Sequence, residues 1–389
     1  MAGPDLTDLL NPQMLIWARK ASQVDVSTAA RAVGKTEEQF LAWESGAKLP
    51  TLNQLRTLAN VYKRSVGIFF LRELPPSPPR PLDYRRLELS TGHVMSAALA
   101  NGIRESEAKR EAALDIYVQR EEEPPVFDLS LPHDLPHEQV ADKISERLGI
   151  TMQIRRGWTS QYDALAGWKS AVEALGIIVN QISGISVQEM RGCSLALFPL
   201  PIILLNGADS PLGRIFTLLH ELTHLTRAES GLCDLVEGAS RRDVADSIET
   251  YCNYVAGAVL VPASQLQAMP EVSRANAETL WNAEQLQAIS RTFWASREAV
   301  LRRLLILGKT SQVHYRAMRE IFGQENRSQG GFVPYPRKVV LSNGRFLTSL
   351  VISAYNSRTI TGSELSRILG TKLDHLPQIL GVLAERAAA

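Results

Sequence analysis

The chain has 389 residues, 45% hydrophobic and 21% charged, with a formal net charge of +1. That length admits roughly two or three domains, each with its own core. The balanced charge excludes a global pull toward nucleic acid or anionic lipid, so any such binding has to come from a local patch. No apolar run reaches the ~18 residues that a membrane helix needs, since the most apolar segment, SLALFPLPIILLN, is short and broken by prolines. The opening MAGPDLTDLLNPQ carries acids rather than a basic head and apolar body, so no signal peptide is expected. Three well-separated cysteines, Cys193, Cys233 and Cys252, read as reduced thiols, and the expected location is the cytoplasm, with no membrane partner.

Residues 1–73 predict a bundle of short helices. Met14, Leu15 and Ala18 give one apolar stripe, and Ala29, Ala30 and Val33 a second. Phe40, Leu41 and Trp43 begin a third, and Leu52, Leu55, Leu58 and Ala59 form a fourth. Thr36 with Gln39 suits a capping box at the third helix, and Thr51 precedes the fourth. The stretch STAARAVGKTEEQFLAWESGAKLPTLNQLRTLANVYK, with its W-E-S-G and P-T-L-x-x-L ending, resembles the phage-repressor-like helix-turn-helix family. The resemblance implies double-stranded DNA bound through residues 12–73, with Lys35, Thr36, Gln39 and Lys48 as candidate contacts. Residues 12–72 hold nine Lys or Arg against four acids, which suits phosphate. Glu37 and Glu38 at the start of the presumed recognition helix do not, and docking of a protein partner is the competing reading. Gln39 has the chemistry to read an adenine edge.

The run LPPSPPRP has five prolines in eight positions and predicts a stiff linker over 74–82. A second break, GQENRSQGGFVPYP at 323–336, closes a middle domain expected over 83–330. Early in that domain, Arg85, Arg86 and the run RESEAKREAALDIYVQREEE read as a solvated helical face. His133 and His137 are four apart, but Pro136 between them breaks a helix, so they read as surface residues.

The chemistry lies in FTLLHELTH, residues 216–224. Two histidines four apart on a helix are offset by about 40° after a full turn, so both imidazoles leave from one face. That spacing suits two cis positions on a tetrahedral ion. Glu221, one residue on, would stand beside the metal as a base for water. Phe216, Leu218, Leu219 and Leu222 supply the buried side of the helix. Downstream, Ile248, Cys252, Val255, Ala256 and Val259 recur at helical spacing, and Glu249 is an acid inside that apolar run. A buried carboxylate needs a partner, and an ion would be one. Asn253, one turn on, has a side-chain carbonyl placed to accept a ligating histidine's ring N–H. Two histidines and one glutamate leave a fourth position open, as in a hydrolytic site.

The segments PIILLN, RIFTLLHELTH and ETYCNYVAGAVLVP together resemble the ImmA/IrrE family of bacterial metallopeptidases. The resemblance runs over most of the chain and is strongest from about 190 to 262. It implies one Zn2+ per chain on His220, His224 and Glu249, with Glu221 as catalytic base. Thr223, Cys252 and Val255 stand where the family has Gly, Ala and Phe, and Thr223 near the metal would alter substrate access. The implied function is a regulatory zinc endopeptidase that cuts a helix-turn-helix repressor or a partner encoded nearby. The alternative is a DNA-binding repressor or antitoxin whose peptidase-like domain holds a partner without hydrolysis. Tyr251, Tyr254, Arg227 and Arg241 are candidate oxyanion donors, and Ser194 to Leu197 are expected to form an edge that pairs with substrate. Arg214 reads as an anchor for the histidine helix, and the cysteines as inert buried thiols.

Residues 331–389 predict a small helical domain. RFLTSLVISAYNSRTI, TGSELSRILG and KLDHLPQIL would give three helices, the second opened by a Thr361–Glu364 capping box. Docking, homodimerisation and DNA contact are its open roles. The expected fold is α+β, mainly α: a helix-turn-helix bundle, a zincin-like domain with a small sheet, and this helical tail.

Overall fold

The computed structural model describes residues 10–22, 24–62, 64–74, 96–132, 134–228, 241–325 and 333–385. The expected linker from Pro75 onward, with Arg85 and Arg86, His133 and Cys233, falls outside those residues. The protein is mainly helical with one small mixed sheet, as expected, and divides into two compact units, 1–105 and 106–389. Among the described residues no helix is long and apolar enough to cross a membrane.

The first unit contains α1 (Pro12–Ala21), α2 (Val26–Ala32), α3 (Glu37–Glu44) and α4 (Leu52–Tyr62), then a 3-10 turn at Val66–Phe70. Each helix starts where the sequence supplies an acceptor. Asn11 caps α1, Asp25 caps α2, and Thr36 and Gln39 form a reciprocal capping box on α3. Thr51 and Gln54 exchange the same pair of bonds at α4. Leu15, Ala18, Ala29, Phe40, Trp43, Leu55, Leu58 and Phe69 close one core. Two expected stripe members are exposed instead, Leu41 at 47% and Leu52 at 39%. Burial of the others needs only one face of each short helix, and these two lie off it.

The second unit begins within α5 (Ala97–Gln119), then α6 (His137–Leu148) and α7 (Gln161–Glu173). Part of the charged run on α5 is not solvated. Arg110 is buried and donates to the backbone carbonyls of Leu197, Pro199 and Leu200, at 2.8–3.1 Å where Pro199 takes two bonds. It thereby fixes the loop that leaves the sheet.

The strands are β1 (Ile178–Ile182), β2 (Gly192–Leu195) and β3 (Ile202–Asn206), in the order β1-β3-β2. β1 runs parallel to β3 and β2 antiparallel to it. Helices α8 (Pro211–Ala228) and α9 (Arg241–Leu260) follow, and α8 packs on β2, β3, α7 and α9. Next come α10 (Ala283–Phe293), α11 (Arg297–Ile306) and α12 (Gln312–Glu325). The C-terminal part is α13 (Tyr335–Asn343), α14 (Arg345–Asn356), α15 (Gly362–Leu369) and α16 (Leu376–Ala384). α13 is an addition to the three expected helices; its Y-P-R opening hides a helix that proline starts rather than stops. The Thr361–Glu364 capping box is present at α15.

The two sheet edges differ. In β1 the Ile178 amide bonds Pro201 on the β3 side, so the neighbouring Val179 carbonyl points outward. A Cβ built on Gly344, at the α13–α14 corner, would lie 2.8 Å from that carbonyl and 2.1 Å from Glu173 Oε1. Gly344 has φ +76, so glycine alone fits there on both counts. Glu173 accepts the Arg345 and Phe346 amides, and Lys169, one turn earlier on α7, donates to the Leu341 carbonyl at 3.1 Å. The chain's own tail thus covers the β1 edge. β2 is the other edge, and among the described residues no strand pairs with its outer side.

Candidate metal centre

α8 carries both histidines, and its start is well defined. Ser210 accepts the Gly213 amide at 3.0 Å, and Pro211 occupies the first turn, where a missing N–H costs nothing. Ile215, Leu218, Leu219, Leu222 and Leu225 are buried on its inner side. Arg214 is buried too, and bonds Gln181 on β1, so it ties α8 to the sheet. Thr223 is fully buried with its hydroxyl on the Leu219 carbonyl at 2.8 Å. Its side chain is withdrawn from solvent.

α9 supplies the third residue, and its C-terminal end is held by two buried arginines. Arg155 donates to the Val259 and Leu260 carbonyls and lies 4.7 Å over the Trp168 ring. Arg303 donates to the Val261 carbonyl at 2.9 Å and pairs with Glu138 at 2.6 Å. Cations at a helix C-terminus satisfy orphan carbonyls and oppose the dipole. Cys252, Val255, Ala256 and Val259 pack inward, and Ile248 is half-buried.

These two helices bring His220, His224 and Glu249 together, with ligand atoms all within 4.8 Å of one another. His220 Nε2 lies 3.2 Å from Glu249 Oε2, His224 Nε2 lies 3.2 Å from Glu249 Oε1, and the two ring nitrogens are 3.0 Å apart. Burial works against a charged His220 ring, but Glu249 and Glu221 outweigh it and raise its pKa. Burial likewise pushes Glu249 up, and the two histidines reverse this, holding it well below the usual carboxylate range. Two nitrogen donors and one oxygen donor aimed at one small volume suit a divalent ion of borderline softness. Glu249 is 45% exposed, so the cluster opens to solvent on that side.

Asn253 interacts with His220 and favours its charged ring, while His220 Nδ1 itself is buried without a hydrogen bond of good geometry. Glu221 is buried and accepts the Ser194 hydroxyl from β2 at 2.9 Å. Sequence reasoning had Ser194 only as part of an edge. The available signal was the alternation Gly192, Ser194, two small residues on one face of a strand beside an apolar helix. A Cβ on Gly192 would meet Thr217 Cγ2 at 2.3 Å and Glu221 Cγ at 3.6 Å, so β2 lies directly against α8.

Of the candidate oxyanion donors, the two tyrosines leave α9 on other sides than Glu249. At about 100° per residue, Tyr251 and Tyr254 stand roughly 160° and 140° around α9 from Glu249. The Tyr254 hydroxyl donates to Glu138 at 2.8 Å. Tyr251 lies beneath the Arg227 guanidinium, 4.4 Å away, and against the His137 ring. His137 is exposed yet wedged against both tyrosines, which is more than a bare surface residue. The side chain of Arg241 falls outside the described ones. Cys193 and Cys252 are buried.

Residues 177–305 match the family model of the IrrE N-terminal-like domain, Peptidase_M78. The match takes in the sheet, α8, α9, α10 and nearly all of α11, and so contains every residue of the cluster. The segment is an IrrE-like metallopeptidase domain with a candidate metal site. No curated protein matches the chain.

Of the DNA-contact candidates, Thr36, Gln39 and Lys48 are exposed and Lys35 is half-buried. The Thr36 hydroxyl and the Gln39 carbonyl oxygen are both engaged in the cap of α3, which leaves the Gln39 amide N–H2 for any partner.

Proposed function

We propose that the protein is a zinc-dependent endopeptidase acting on a regulatory protein, with His220, His224 and Glu249 as ligands and Glu221 as general base. The convergence of those three side chains on one point, with Glu221 next to it, carries the reading. A bound zinc ion supplies Lewis acidity that activates water and polarises a peptide carbonyl. Glu221 takes the water's proton and returns it to the leaving amine. Asn253 orients His220 through its ring.

The β2 edge aligns the substrate. The Asn206 amide bonds the Arg191 carbonyl, so 191, 193 and 195 face β3 while the N–H and C=O of Gly192 and Ser194 point outward. A peptide added as a strand there would lie alongside Glu221. The test is metal content of the purified protein together with loss of a partner encoded nearby. One zinc per chain, and partner loss abolished by Glu221→Gln, is the expected result. Equal partner loss with both proteins would leave the domain as a holder of its partner, the non-hydrolytic alternative.

Residues 12–73 are the proposed binder of double-stranded DNA, as a helix-turn-helix module, supported by their excess of nine basic over four acidic residues between 12 and 72. The full chain should retard its own promoter fragment, and Lys35→Ala with Lys48→Ala should weaken this and lower the salt slope by about 2, one for each phosphate no longer neutralised. No retardation by the unaltered chain would leave that unit as a docking module. The substrate fits best as a helix-turn-helix repressor or other neighbouring-gene product, in the cytoplasm.

A further inference from the structure

We propose that Ser194 is a positioning residue whose hydroxyl holds the Glu221 carboxylate on the strand side of α8, keeping it out of the ligand cluster. This rests on the metallopeptidase reading above. Glu221 follows His220 directly, and nothing in the spacing of the motif stops its carboxylate from turning toward the same ion. His220, His224 and Glu249 already offer three ligand atoms. A further one would fill the position that water needs.

The structure contains the restraint. Ser194 Oγ donates to Glu221 Oε2 at 2.9 Å, and both groups are buried. The bond is charge-assisted when Glu221 is ionised, which makes it strong and directional. It occupies one carboxylate oxygen and leaves the other to accept a proton. Strand and helix are in direct contact beside this bond, since Gly192 sits against Thr217 with no room for a Cβ. β2 is itself fixed by pairing with β3 and by Arg110 on the carbonyls that follow it. The serine also faces two ways: its side chain holds the base, and its backbone groups face the proposed substrate strand.

Cobalt(II) in place of zinc reports its ligand set and geometry through its visible absorption, independent of any substrate. The full-length protein loaded with one Co2+ should show the intense bands of a four-coordinate ion. Ser194→Ala should shift them as the Glu221 carboxylate takes the place of water on the ion. Ser194→Thr, which keeps the hydroxyl, should restore them. In a Glu221→Gln background the Ser194→Ala change should have no spectral effect, and this pair tests the link even where the single variant is poorly folded. Identical spectra for the unaltered protein and Ser194→Ala, or a Thr variant that behaves like Ala, would overturn the proposal. A protein that takes up no Co2+ at all would instead overturn the metal reading on which it rests.

Discussion

The N-terminal unit buries Glu44 and the domain at 177–305 buries Glu221 beside the half-exposed Glu249, but the partners differ in kind. In the first, Glu44 faces Arg19 through two parallel bonds of 2.7 and 2.9 Å, a permanent cation that uses both carboxylate oxygens. In the second, Glu249 faces two imidazoles that are neutral unless protonated, and Glu221 faces a single hydroxyl. The first arrangement is complete and serves the fold. The second has donor atoms left over around a shared point, and that surplus marks a site. Burial of charge alone does not separate the two cases; the balance of lone pairs does.

That contrast is breakable, most strongly at the ligands. Zinc at a thousandfold excess over its Kd should add about 4 kcal/mol of stability to the unaltered protein. His224→Ala or Glu249→Ala should abolish the gain in a thermal melt. A variant that still gains as much would remove Glu249 or His224 from the cluster's role. Next in size, Glu44→Ala should destabilise the first unit by about 3 kcal/mol, since Arg19 would keep a charge with little water around it. A denaturant midpoint that barely moves would mean that the pair is surface-like. Gly192→Ala should cost about 2 kcal/mol through overpacking against Thr217, and a neutral result would show that β2 and α8 have room to part.

Glu173 offers the subtlest case, an acid met by amides and by no bonded cation. Burial pushes its pKa from 4.5 up to about 7, against the neighbouring Lys169 and the amides of α14, which pull it down. The folded state therefore holds a proton that the unfolded chain releases. Its stabilising contribution is complete below 4.5 and is lost as pH rises through about 7. Melting temperature should fall between about pH 5 and about pH 8 in the unaltered protein, and Glu173→Gln should flatten that fall. An unchanged slope would assign the pH dependence to other groups.

Much of the metal centre was legible because its information is local. The i, i+4 spacing of His220 and His224 fixes their shared face, and Glu249 stood out as a charge within an apolar stripe. The caps of α3 and α15 were legible for the same reason. The core of the first unit was readable from periodicity, yet Leu41 and Leu52 stayed outside it, because a stripe indicates a face and not its width. What could not be read depends on distant segments meeting. Arg110 on the loop after β2, Arg155 and Arg303 on the end of α9, and Ser194 on Glu221 are each joined across 27 to 105 residues of chain. Tyr251 and Tyr254 were candidates by proximity in sequence to Glu249, which says little about direction around a helix.

The outward-facing amides of Gly192 and Ser194 have an evolutionary consequence. The same short strand that would greet an incoming chain also holds the carboxylate proposed as the base. On that proposal, changes that retune recognition at those positions would disturb turnover too, and new targets would be acquired more readily by altering the loops that flank the strand than the strand itself.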